Sequence, residues 1–185
     1  MTKTAKDIVH LDWLVHMFHA DREPLGEFEP QDVADVPEVY RRLLAHDQHM
    51  TVTVERHYGC QVDVDILQRR TDEPFYSREI LLRCQGKQQV VQYGIVRLFL
   101  PVLEPAVREE ILAGDIPLGR IMISHDVLRQ VKLGEVWRVG CGPRLCEVFS
   151  IPAGTVTYGR TALIYFDSQP ALELLEIVAP QGDSL

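Results

Sequence analysis

Arg78, Arg97, Arg160 and Glu176 are the residues of this sequence whose types and positions best suit chemistry. Each falls in a stretch that alternates with period two, and each shares its row with apolar neighbours. In "YSREILLRC" one row reads Tyr76, Arg78, Ile80, Leu82, Cys84, and over 156–166 one reads Val156, Tyr158, Arg160, Ala162, Ile164, Phe166. Over 89–99 the more apolar row is Val91, Tyr93, Ile95, Arg97, Phe99, while near the C-terminus Glu176 joins Leu172, Leu174 and Val178. An arginine turned towards a core costs on the order of several kcal/mol unless an anion meets it. Three inward cations against one inward acid leave positive charge over, in a chain of formal net charge -8. That surplus points to an anionic ligand. Arginine suits a small carboxylate because its fork engages both oxygens and stays protonated in a dry pocket. For each residue taken singly, a parity slip at a bulge, an edge position or an Arg–Glu pair explains it as well.

The elements that must hold these residues come as helices first and strands afterwards. Ile8, Leu11, Leu14, Val15 and Phe18 recur at helical spacing from Asp7 to Ala20. Residues 21–37 carry Pro24, Gly26, Pro30 and Pro37 among acids and read as a loop. A second helix starts near Pro37 and runs through Val39, Leu43 and Leu44. Met50 to Tyr58 is ambiguous, because "TVTVE" is β-branched, and Gly59 suits its end. From "QVDVDI" onward the period becomes two, with strands over 61–66, 76–84 and 89–99, the last two joined at Gln85-Gly-Lys-Gln88. Glu104 to Gly114 carries an early proline and a closing glycine, the marks of a short helix. A strand around 127–139 and two more at 155–167 and 171–179 complete the chain. The fold class that follows is α+β, a single domain over 1–185 with residues 1–37 leading into a core at 38–185 and helices over one face of an antiparallel sheet.

Composition narrows the function. With 185 residues, 46% of them hydrophobic, the chain is long enough for one core. Its acidic balance argues against nucleic acid and anionic membranes as partners, since both call for a basic face. The N-terminal residues have no signal-peptide core and no run able to span a bilayer, so a cytoplasmic location is expected. Cys60, Cys84, Cys141 and Cys146 form no CxxC pair and are expected reduced, as small apolar residues. His16/His19 and His46/His49 have helix-face spacing without a third ligand, and they read as surface histidines rather than a metal site. Gly-rich phosphate loops and a GxSxG elbow are absent from the sequence.

Three motifs resemble the chorismate lyase (4-hydroxybenzoate synthase) family: "SREILL" at 77–82, "IPLGR" at 116–120 and "YGRTALIYFDSQPALELLEIVAP" at 158–180. "LLAHDQHMT" at 43–51 resembles that family's helical lid, which favours a helix over 50–58. The resemblance implies a sheet of about six antiparallel strands, loss of pyruvate from chorismate to give 4-hydroxybenzoate, and neither metal nor organic cofactor. It also implies a place in ubiquinone or other aromatic-derived cofactor synthesis. By position it makes Arg78 the clamp on the ring carboxylate and Glu176 the residue assisting proton transfer. Met50, Arg97, Leu118 and Arg160 are implied as substrate contacts. Arg160 is followed by Thr161 where the family often has consecutive arginines, and 139–154 makes a long connection.

The same fold also serves as the effector domain of some bacterial transcription regulators, so a non-catalytic sensor of small, hydroxybenzoate-type carboxylates is the alternative. Those sensors carry a DNA-binding winged helix ahead of the domain. Before residue 38 this sequence shows one helix and an acidic, proline-broken loop, so the lyase is the leading expectation.

Overall fold

The computed structural model describes residues 9–126, 129–166 and 168–182. Expectations for Asp7, Ile8, residues 127–128 and Asp167 lie outside them. Seven strands form one antiparallel sheet in the order β1-β5-β6-β7-β4-β3-β2. They are β1 (Gly26–Gln31), β2 (Val62–Asp72), β3 (Phe75–Cys84), β4 (Val90–Phe99), β5 (Arg129–Cys141), β6 (Val156–Phe166) and β7 (Gln169–Val178). The helices are α1 (Leu11–Val15), α2 (Glu38–Leu44), α3 (Met50–Tyr58), α4 (Pro105–Ala113), α5 (Leu118–Ser124) and α6 (Pro143–Phe149).

The α+β class with an antiparallel sheet holds, and three details differ. The segment expected as a loop contains β1, whose Gly26 lies so close to Gly140 O that no Cβ fits. The long connection contains α6, with Pro143 in its first turn and Leu145 buried. Helices also cover both faces of the sheet. Buried residues of α1 and α6 pack with Tyr93, Ile95, Leu175 and Ile177 on one side, while α2, α3, α4 and α5 cover the other. A sheet sandwiched this way buries both rows of its central strands, so alternation no longer says which row faces which layer.

α3 forms despite its β-branched run because Met50, Thr51 and Val54 are buried against neighbours, and tertiary packing overrides a weak local preference. Gly59 ends it at φ 62°, a conformation glycine adopts freely. Arg120, from the "IPLGR" motif, ion-pairs with Glu55 of α3 and donates to Val62 O at 3.3 Å, tying α5 to α3 and the start of β2.

The next residue after Gly59 corrects the cysteine expectation. Cys60 is joined to Cys84, the last residue of β3, by a disulfide with Cα atoms 5.7 Å apart. Proximity in the fold decides pairing, and no spacing rule on the sequence reveals it. With a sequence separation of 24 between the partners, loop-closure entropy gives the bond about 3 kcal/mol. Adding reductant is therefore expected to lower the denaturant midpoint, an effect lost in Cys60→Ser. An unchanged midpoint would show that the bond contributes nothing to stability.

Candidate functional site

Strand register brings the residues of interest onto one face of β3, β4, β7 and β6. Arg78 lies opposite Val96, Ile80 opposite Gly94, Gly94 opposite Glu176, and Glu176 opposite Arg160. Over this floor close α3, the loop that precedes it and the first turn of α5. The cavity between them is lined by Arg78, Gln92, Glu176 and Arg160 below and by His49, Met50, Thr51 and Leu118 above. Its free volume is about 50 Å³, room for a few water molecules and below the roughly 300 Å³ at which ligand pockets begin.

Arg78 is 1% exposed, and its Nε and Nη1 find no hydrogen-bond partner among the described residues. No ion pair meets it there either. Burial pulls its pKa below the ordinary value, opposed by the nearby Tyr76 and aided by the charge of Arg69. A guanidinium buried with free donors is costly, as orphaned buried polar groups go.

Arg160 is equally buried, but its Nε and Nη1 both have partners. Its Nε donates to Glu176 Oε2 at 2.7 Å. Its Nη1 donates to Leu44 O and to His46 O, both at 2.9 Å. The side chain therefore fastens the loop between α2 and α3 to the sheet, and it pairs with Glu176 on the cavity floor. The His46 pKa is lowered, first by burial and then by the charge of Arg160.

Of the residues singled out from sequence, Arg78, Glu176, Met50, Leu118 and Arg160 all line this cavity. Arg97 does not. The chosen row of β4 turns the other way, and Arg97 stacks at 3.5 Å over the Phe75 ring and donates to Glu173 at 2.8 Å. The row of β4 that faces the cavity is Gln92, Gly94, Val96. It is the less apolar of the two because it borders a cavity rather than packed side chains.

Sequence reasoning passed over Gln92, which is 3% exposed and whose Oε1 has no partner among the described residues. It also read His49 as a surface residue, whereas His49 is buried at the cavity wall. On the opposite face lies a second buried acid, Glu79. It accepts from Tyr93 Oη at 2.8 Å and Gln68 Nε2 at 2.9 Å, with His19 Nε2 at 3.1 Å and Arg144 Nε at 4.0 Å. Desolvation, reinforced by the Glu79 charge, raises the Tyr93 pKa well above its ordinary value. This cluster is internally satisfied, and its only sequence signal is that Glu79 and Tyr93 sit on paired strands.

No protein-family model and no curated protein matches the chain. Among solved structures it is similar to the effector domain of PhnF from Mycobacterium smegmatis, at 14% identity and a TM-score of 0.54, over 74% of this chain and 90% of that one. The structure of PhnF itself gives 13% identity and a TM-score of 0.52, over 71% and 63%. A possible transcriptional regulator, YydK from Bacillus subtilis subsp. subtilis, gives 12% and 0.44, over 63% and 57%. This chain thus spans less than two thirds of PhnF and of YydK. At such identities the likeness is one of fold, the chorismate-lyase-like α+β arrangement.

These neighbours correct the enzymatic expectation. The architecture that the motifs attached to a lyase is shared by the effector domain of PhnF. Fold and short motifs alone do not carry a reaction with them. The expected chorismate lyase activity, pyruvate release and role in quinone-precursor synthesis find no counterpart among these neighbours. Among the described residues, no helix is long and apolar enough to cross a membrane.

Proposed function

We propose that the chain is a non-catalytic binding domain for a small carboxylate, of the effector type, and that Arg78 receives the carboxylate. The observation that carries this reading is the pair of unpartnered donors on a guanidinium 1% exposed inside a cavity. An anion accepts from either donor, and charge-assisted bonds of this kind are roughly twice as strong as neutral ones. Met50 and Leu118 supply apolar walls, and Glu176, already held by Arg160, gives the floor a fixed polar point. The acidic balance of the sequence supports a role in which this domain does not itself touch nucleic acid.

Calorimetric titration with 4-hydroxybenzoate tests it. Saturable one-to-one binding that benzoate competes for is the expected result. Heats no larger than dilution for both compounds would overturn the carboxylate assignment, and tighter binding of inorganic phosphate would replace it with another anion.

A further inference from the structure

Resting on that reading, we propose that the site also selects a ligand with a hydrogen-bond donor, a hydroxyl or an ammonium, at the end remote from its carboxylate, received by Gln92 Oε1. Gln92 lines the same cavity as Arg78, is 3% exposed, and its Oε1 has no partner among the described residues. Register separates the two ends. Arg78 pairs with Val96 and Leu82 with Gln92, so the residues stand four positions apart along adjoining strands, roughly 13 Å by strand rise. Between them the floor is Ile80 and Gly94, and Gly94 sends nothing into the space. The pocket therefore has free donors at one end and a free acceptor at the other.

Glu176 is the other side-chain acceptor on the floor; its Oε2 is held by Arg160 at 2.7 Å, and it stands opposite Gly94, midway between the two ends. Gln92 has no such partner. The ligand-free cavity has room for water, which would satisfy Oε1 until a ligand displaces it. A ligand that brings a donor replaces that bond. One that brings an ether oxygen or bare carbon leaves a buried acceptor unmade, and the penalty falls on that ligand alone.

The test compares 4-hydroxybenzoate, 4-methoxybenzoate and benzoate by calorimetry on the full chain and on Gln92→Leu and Gln92→Met. The wild type should favour 4-hydroxybenzoate over the other two by roughly 10- to 100-fold. In both variants the preference should collapse while benzoate still binds, which also reports that the variants are folded. Equal affinities in the wild type, or a preference that survives both substitutions, would overturn the assignment of Gln92. So would loss of benzoate binding in both variants at unchanged melting temperature, because Gln92 would then shape the pocket rather than read the donor. Absence of binding by all three compounds to the wild type would instead overturn the carboxylate reading at Arg78, and this inference with it.

Discussion

Arg78→Met is expected to weaken carboxylate binding about 100-fold or more, roughly 2.7 kcal/mol, while making the ligand-free protein more stable. The two halves have one cause. Nε and Nη1 of Arg78 are buried without partners, so the folded protein bears the desolvation of a cation that only a ligand compensates. Methionine matches the aliphatic part of the arginine side chain and removes the charge. Replacement of buried charges by well-packed apolar residues gains about 1–4 kcal/mol in favourable cases. Denaturant titration of the empty protein, beside calorimetry with 4-hydroxybenzoate, reads both quantities. A drop in stability with binding retained would mean that Arg78 has a structural partner and is not the anion's anchor.

Arg160→Ala is expected to act in the opposite sense. It strips the cation from Glu176, leaving a buried carboxylate uncompensated, and it releases the carbonyls of Leu44 and His46. Breaking a buried pair from one side costs about 3–5 kcal/mol, a large part of the stability of a domain this size. The double variant Arg160→Met with Glu176→Leu should recover much of the loss, since neither charge is then stranded. If the double variant is as unstable as the single one, the loop bonds rather than the ion pair account for the loss. A cost for Arg160→Ala below about 1 kcal/mol, the range of exposed pairs, would show that water reaches the pair. Two arginines on one sheet face thus predict opposite signs, and the difference is whether the protein itself supplies the acceptors.

That difference marks the limit of what alternation in a sequence tells. Parity on β3, β6 and β7 put Arg78, Arg160 and Glu176 on the cavity side. It could not say that Arg160 would pair with Glu176 and leave Arg78 alone, because partner choice depends on strand order and β6, not β3, lies beside β7. The same rule misplaced Arg97, because β4 is covered on both sides and both its rows look apolar. Glu79 shows the converse: a polar residue on the alternate row is expected in water, and α1 and α6 bury it. α6 had its signal in Pro143 followed by Leu145, Val148 and Phe149, a helical start with apolar residues three and four apart. β1 had none, as a short edge strand with Pro30 and alternating acids resembles a loop. α3 was legible only through likeness to a lid segment, since its own residues favour a strand.

The loop between α2 and α3 is fastened by Arg160 beside a space of about 50 Å³. On the proposed reading a carboxylate of benzoate size needs more room than that, so its apparent affinity is the intrinsic affinity scaled by the fraction of molecules in a wider form. Substitutions that loosen the loop would then change binding without touching the ligand.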